Sequence, residues 1–270
     1  MTTEAGLPVQ SFTPAHRGGH GAPPIVCLHG FTDTWRTWEL VLPALEARHE
    51  VLAPTLPAHA GGPPLTAAPS TTILADAVEA AMDEAGFETA QLVGNSLGGY
   101  IALQLAERGR ATSVVAFAPA GGWPRGDASL REVLDGFAGV YRQLLPIAAH
   151  AGAIVGTPEG RRMATALITT NYEHIPAELI AHQIVGVTRC DVLPLLEYAG
   201  GADFELDPGR IRCPVRIVWG TADQILPWPR YASRFREEWL PNADYVELDG
   251  VGHCPQLDVP TEAAQLILGF

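Results

Sequence analysis

The chain has 270 residues, of which 47% are hydrophobic and 17% are charged, and its formal net charge is −13. This length fits one large domain or one domain with an insertion, and the apolar fraction excludes a mainly disordered chain. The acidic balance makes nucleic acid an unexpected partner, because phosphate backbones repel a negatively charged surface.

The first half of the chain alternates short apolar runs with helical patterns. The predicted strands are 9–12, 24–29, 51–52, 91–93 and 112–118, and the predicted helices are 37–48, 71–85 and 97–108. Such alternation is typical of βαβ units, in which parallel strands lie between two layers of helices.

The alternation stops after Pro119 and resumes near Pro208. Helical patterns cover 128–145, 158–170, 176–189 and 191–199, and they are followed by strands at 215–219 and 243–248 and helices at 228–239 and from 261 onward. This favours one α/β core, residues 1–121 and 208–270, that carries a helical cap at 122–207. We expect a mostly parallel sheet of seven or eight strands flanked by helices, with the cap between strands 6 and 7.

The motif Gly94-Asn95-Ser96-Leu97-Gly98 connects a predicted strand directly to a predicted helix. A G-x-S-x-G turn at such a junction raises the serine hydroxyl above the sheet edge, near the positive end of the helix. We therefore interpret Ser96 as a nucleophile. The alternative interpretation is a glycine-rich turn that contains an incidental serine.

A serine nucleophile needs a base, and the base needs an orienting acid. His253 follows the strand at 243–248 and Asp223 follows the strand at 215–219, so both are expected at the same sheet edge as Ser96. Asp127 and Asp249 are the alternative acids. The other histidines are expected to be solvated or packed, including His59, for which a position at the lip of the pocket is the alternative.

Four stretches together resemble the α/β-hydrolase fold superfamily, in its esterase-like serine hydrolase branch with a helical cap: HGF at 29–31, GNSLGG at 94–99, GTADQILP at 220–227 and GHCPQLDVP at 252–260. The chain order Ser96, Asp223, His253 agrees with this family. The resemblance implies an oxyanion hole made by the backbone N–H groups of Phe31 and Leu97. Serine at the nucleophile position argues against the dehalogenase and epoxide hydrolase branches, which attack with a carboxylate.

The resulting hypothesis is hydrolysis of a carboxylic ester or related acyl compound through an acyl-enzyme, without a metal or an organic cofactor. Trp35, Tyr100, Trp123 and Trp228 are candidates for the pocket lining. The alternatives are a C–C bond hydrolase acting on a diketone-like substrate and a non-catalytic receptor for a small ligand. Asp258 is expected to cap the last helix.

The expected partner is a small acyl substrate, and the expected assembly is a monomer or a homodimer. The four cysteines are widely spaced, which favours buried reduced thiols over a disulfide framework or a zinc site. No run of about 18 apolar residues and no signal-peptide pattern is visible, so we expect a cytoplasmic protein that is not membrane-bound.

Overall fold

The computed structural model contains one seven-stranded sheet and describes residues 11–65, 70, 72–126, 128–201 and 204–270. The strands are β1 (Ala15–Gly19), β2 (Ile25–Leu28), β3 (Glu50–Pro54), β4 (Ala90–Asn95), β5 (Ala111–Phe117), β6 (Val215–Gly220) and β7 (Asp244–Leu248). Their order is β1-β3-β2-β4-β5-β6-β7. Only β1 is antiparallel to its neighbour, β3, so the predicted mostly parallel sheet is confirmed.

The described residues form ten α-helices. They are α1 (Leu42–Glu46), α2 (Ile73–Ala85), α3 (Leu97–Glu107), α4 (Ser129–Leu144), α5 (Ala151–Val155), α6 (Pro158–Thr165), α7 (Ala177–Arg189), α8 (Val192–Gly201), α9 (Pro255–Asp258) and α10 (Pro260–Leu268). No helix among the described residues is both long and apolar enough to cross a membrane.

Strand β2 shows how the sheet divides the core into two clusters. Val26 and Leu28 pack in the cluster that contains α2 and α3, whereas Ile25 and Cys27 pack in the cluster that contains α1 and α10. Successive side chains of a strand point to opposite faces, and all four are fully buried here. Because helices cover both faces of the sheet, every side chain of β2 is buried, which explains its continuous apolar run.

Helices α4–α8 all lie between β5 and β6, within the predicted cap of 122–207, whose limits as a domain stay a prediction. Five described strands precede this helical segment and two follow it. The sequence predicted six strands before the segment, so the structure has one fewer. Helices α5 and α7 bury apolar side chains against Cys254 and Leu257 of the segment after β7. The helical segment is thereby packed onto the carboxyl edge of the sheet.

Several predicted elements differ in the structure. The predicted helix at 37–48 is a 3₁₀ turn (Trp35–Trp38) followed by the short α1, because the Thr34 side chain caps the turn and Pro43 starts the helix. The predicted helix at 228–239 is a 3₁₀ turn and a π turn, and Arg234 N–H within it donates to the carbonyl of Gly122.

The predicted strand at 9–12 is also wrong where it can be examined. Ser11 and Phe12 are not in a strand, and residues 9 and 10 lie outside the described ranges. The first described strand, β1, contains His16, and its side chain hydrogen-bonds Glu46.

Candidate active site

Ser96 is the single residue that connects the end of β4 to the start of α3, and its backbone conformation is strained. Its φ is 54° and its ψ is −116°, a region that side-chain-bearing residues rarely adopt. The backbone around it fixes this turn: Ser96 N–H donates to the carbonyl of Phe117 at 2.9 Å, and the Ser96 carbonyl accepts from Tyr100 and Ala120. The strain therefore comes from a turn that the surrounding structure determines.

The glycines on either side of Ser96 allow a close approach of backbone segments. A Cβ on Gly94 would lie 2.2 Å from the carbonyl oxygen of Gly98, and a Cβ on Gly98 would lie 2.2 Å from that of Leu28. No side chain fits at these distances. The motif thus needs glycine for contact between α3, β4 and β2.

His253 and Asp223 meet at the same sheet edge, as expected from the parallel strands that precede them. Nδ1 of His253 lies 2.7 Å from Oδ2 of Asp223, and their side chains are 4% and 0% exposed. The other carboxylate oxygen, Oδ1, accepts N–H groups of Ile225 and Leu226, each at 2.8 Å. An ionised carboxylate only accepts, so this bond places the proton on Nδ1 and leaves Nε2 of His253 as a base.

The alternative acids are not in this arrangement. Asp249 is exposed and accepts a hydrogen bond from the Thr221 hydroxyl at 3.3 Å. Asp127 lies outside the described residues.

Asn95 ties the serine turn to the loop of His253. Its Nδ2 donates to the carbonyls of His253 at 3.0 Å and of Phe117 at 3.2 Å, and its Oδ1 accepts from Gln256 at 3.2 Å. This role of Asn95 was not predicted from the sequence. Its only signal was the position of a buried polar residue at the end of a central strand.

The two residues predicted to supply the oxyanion hole, Phe31 and Leu97, lie at the same cavity as Ser96. Within the described ranges neither backbone N–H has a hydrogen-bond acceptor. His29 fixes the loop that carries Phe31, because its Nδ1 donates to the Gly30 carbonyl and its Nε2 accepts from Leu56 N–H. Burial holds the pKa of His29 well below its usual value, so the ring is neutral and suited to both roles.

Two cavities meet at Ser96. The first, here called the apolar cavity, extends along α3 and is closed by side chains of α4 and α8. The second, here called the histidine cavity, contains His253 and is closed by α4 and α7. Ser96, Phe31 and Phe137 line both, and the rings of Phe31 and Phe137 meet edge to face with centroids 5.0 Å apart.

The structure separates the four aromatic residues that the sequence suggested for the pocket. Tyr100 and Trp123 line the apolar cavity, although the Tyr100 hydroxyl is bound to the backbone of Glu205. Trp35 and Trp228 line neither cavity, which corrects the sequence analysis. Trp35 instead donates to the Thr13 hydroxyl, and Trp228 packs on Trp219, so both side chains are held by contacts outside the cavities.

The histidine cavity also contains an acidic residue that the sequence analysis did not select. Asp33 is partly buried, and burial raises its pKa to about 6. Its Oδ1 accepts from Thr34 N–H at 2.8 Å and its Oδ2 accepts from Nε2 of Gln183 at 3.3 Å. The short loop after β2 therefore brings both a candidate oxyanion donor and a carboxyl group to the site.

The sequence predicted that Asp258 caps the last helix, and the structure shows that it does not. Its carboxylate accepts N–H groups of Gly252, Thr170 and Asn171 at 2.7–2.9 Å. It thus joins the residue before His253 to the segment that precedes α7, because the turn at Asp258 points its side chain inward. Within the described parts of the chain, no cluster of three or more histidine, cysteine or acidic residues is arranged to hold a metal.

Comparison with known proteins agrees with this architecture. A family model of the alpha/beta hydrolases matches residues 25–266. The epoxide hydrolase EphH of Mycobacterium tuberculosis is 33% identical over 213 residues, which cover 74% of this chain and 94% of the relative.

Two solved structures are similar at low sequence identity. Carboxylesterase CesB from Bacillus subtilis has a TM-score of 0.70 at 18% identity, covering 97% of this chain and 89% of that one. A meta-cleavage product hydrolase from Pseudomonas fluorescens has a TM-score of 0.68 at 19% identity, covering 94% and 92%. These likenesses show the fold alone, but the family model and the 33% identical relative go further: the chain belongs to the alpha/beta hydrolase family.

Proposed function

We propose that this protein is a serine hydrolase that cleaves a carboxylic ester or a related acyl compound through Ser96, His253 and Asp223. The observation that carries the proposal is the 2.7 Å hydrogen bond between His253 Nδ1 and the buried Asp223 carboxylate. It leaves a basic nitrogen in a cavity that Ser96 also lines. Acyl transfer requires a nucleophile, a base and an orienting acid, and this arrangement supports those roles for Ser96, His253 and Asp223.

In the proposed reaction, Ser96 Oγ attacks the substrate carbonyl carbon while His253 Nε2 accepts the hydroxyl proton. The N–H groups of Phe31 and Leu97 stabilise the oxyanion, and each such donor contributes about 10²–10³ in rate. When the C–O bond to the leaving alcohol breaks, His253 returns the proton to that alcohol. Water, deprotonated by His253, then attacks the acyl-enzyme and releases the carboxylic acid and free Ser96.

The test is turnover of p-nitrophenyl esters, together with covalent labelling by a fluorophosphonate probe. We expect the wild-type protein to do both. Ser96→Ala should lose the labelling and retain only the ~10³–10⁴-fold acceleration over water that remains without a triad. Wild-type turnover in Ser96→Ala would overturn the proposal, and so would ligand binding without turnover in the wild type, the behaviour of a receptor.

A second candidate is hydrolysis of a C–C bond in a diketone-like substrate, which uses the same three residues. The similar meta-cleavage product hydrolase supports this candidate through its fold only. Comparing kcat/KM for esters and for diketone-like substrates separates the two activities. A higher value for the C–C bond would replace the ester assignment while leaving the roles of Ser96 and His253 intact.

The name of the 33% identical relative also makes epoxide opening a reaction to test. A carboxylate nucleophile forms an ester intermediate, which water can hydrolyse at its carbonyl. Ser96 would instead form an ether, which offers no carbonyl to water, and the protein would stop after one turnover. We therefore expect no catalytic diol formation from an epoxide, and sustained diol formation would contradict the acyl-transfer assignment.

A further inference from the structure

The two cavities at Ser96 differ in one catalytically decisive respect, which matters if the proposed function holds. His253 lines the histidine cavity and does not line the apolar cavity. Because His253 must pass its proton to the leaving group, the leaving alcohol has to lie in the histidine cavity. The acyl chain is then left to the apolar cavity, along α3.

The walls of the two cavities differ in chemistry as well. The described lining of the apolar cavity contains no ionisable carboxyl or cationic group. The histidine cavity has mostly aliphatic walls but also contains Asp33 and Gln183, which come from the loop after β2 and from α7. No arginine or lysine is among the described residues that line it, and Asp33 forms no ion pair within the described ranges.

Asp33 is oriented by its hydrogen bonds but not saturated by them. Thr34 N–H binds Oδ1, the Gln183 amide binds Oδ2, and the Thr37 hydroxyl is a third donor to the carboxylate. A carboxylate offers about four acceptor positions on its two oxygens. A partly buried carboxylate without a cation gains from a further donor, and it repels a second negative charge.

We propose that Asp33, positioned by Gln183, accepts a hydrogen bond from a hydroxyl or amine group on the leaving alcohol. The preferred substrate is then an ester with an apolar acyl chain and an alcohol that carries a second hydrogen-bond donor. Esters whose alcohol carries a carboxylate are disfavoured.

Three octanoate esters test this assignment, with 1,3-propanediol, n-butanol or 3-hydroxypropanoate as the alcohol. The first two differ only by a hydroxyl in place of a methyl group. For the wild type we expect kcat/KM to be at least about tenfold higher for the diol ester than for the butyl ester, and lowest for the anionic ester. In Asp33→Asn the diol preference should fall to about threefold or less, whereas the exposed control Asp191→Asn should keep it.

The pH dependence of this preference provides a second readout. Both esters use the same serine and histidine, so the titration of the triad cancels in their ratio. In the wild type, the ratio of kcat/KM for the diol ester to that for the butyl ester should decrease as the pH is lowered below 6, because Asp33 takes up a proton. In Asp33→Asn this ratio should not change with pH. The titratable groups that face Asp33 are His253 and Cys254 after β7 and, through Thr34, His182 on α7. Burial holds the pKa of Cys254 well above its usual value, so it stays uncharged.

Gln183→Leu keeps the assignment testable if Asp33→Asn does not fold. The Gln183 hydrogen bond lowers the pKa of Asp33, so its loss should move the midpoint of the ratio to higher pH. If the wild type hydrolyses the butyl ester with nearly the same kcat/KM as the diol ester, this inference is overturned and the proposed function is not. A preference that Asp33→Asn does not change would overturn it too. If the wild type hydrolyses none of the three esters, both this inference and the proposed function are overturned.

Discussion

Asn95 and His253, 158 positions apart in sequence, are joined by a 3.0 Å hydrogen bond from the Asn95 side-chain amide to the His253 carbonyl. Asn95 immediately precedes the strained Ser96, so one rigid strand end holds both the serine turn and the histidine loop. Gln256 extends this connection, because its amide donates to both Asn95 and Thr37. The relative position of the proposed nucleophile and base is thus set by a buried amide network.

Replacing Asn95 tests this network. Asn95→Ala leaves the buried carbonyls of His253 and Phe117 without their donor, which should lower the free energy of unfolding by about 1–3 kcal/mol. Because Asn95 acts through the position of His253, kcat for an ester should fall about tenfold or more with KM nearly unchanged. Asn242→Ala, at an exposed site, is the matched control for stability and kinetics. An unchanged kcat in Asn95→Ala would show that the network has no positioning role.

The acid can be identified by comparing two aspartates on neighbouring loops. Asp223→Asn keeps the shape of the side chain but presents an amide to His253, which favours the wrong tautomer. By analogy with the serine protease triad, kcat should fall by about 10⁴. Asp249→Asn, at the exposed alternative acid, should leave kcat unchanged. Steady-state kinetics on one ester decide between them, and a larger effect at Asp249 would mean that the acid is misassigned.

The fold and the Ser96, His253 and Asp223 positions could be predicted because each has a local signal in the sequence. The elbow glycines, the apolar run of β2 and the order of strands are properties of short segments. The parallel arrangement then brings the residues after β4, β6 and β7 to one edge.

The supporting residues have no such signal. Asn95, Asp33 and Asp258 each bind a partner that is distant in sequence, and one aspartate or asparagine at the end of an element or in a loop resembles any other until the fold is known. The predicted helix at 228–239 departs from regular α-helical geometry for a related reason: a tertiary hydrogen bond from Arg234 to Gly122 competes with the local helical pattern. Contacts of this kind depend on packing rather than on periodicity.

The buried histidines predict that the protein loses stability in acid. Burial lowers the pKa of His59 to about 4, below the ordinary 6.5, so the folded protein keeps this ring neutral while the unfolded chain protonates it. Stability is therefore retained above pH 6.5 and lost as pH falls towards 4, by about 3 kcal/mol for this group. Asp33 has the opposite sign: burial raises its pKa from 3.8 to about 6, so ionisation costs stability as pH rises through that window.

Comparing variants isolates the histidine contribution from that of Asp33. His59→Gln should show a shallower fall in the free energy of unfolding between pH 6.5 and 4 than the wild type, measured by urea denaturation. The exposed control His150→Gln should keep the wild-type slope. Parallel pH curves for wild type and His59→Gln would mean that His59 titrates normally in the folded protein.

The division of the substrate between two cavities makes a prediction about acyl-chain length. Leu196 and Leu193 lie on the same helix, α8, but Leu196 lines the apolar cavity while Leu193 is 62% exposed. If the acyl chain occupies the apolar cavity, Leu196→Trp fills space that a long chain needs and a short chain does not. One methylene group in such a pocket is worth about 1–3 kcal/mol, so crowding by several atoms has a large effect on selectivity.

We expect Leu196→Trp to lower kcat/KM for a p-nitrophenyl decanoate relative to the acetate by at least about tenfold. Leu193→Trp adds the same side chain to solvent and should leave that ratio within about twofold of the wild-type value. Thermal unfolding of both variants separates a change in selectivity from a loss of folded protein. If both substitutions shift the ratio equally, or neither does, the acyl chain does not bind along α3, and the histidine cavity would have to hold it. Because the leaving group must also reach His253, that result would remove the basis for assigning the two cavities to the two halves of an ester.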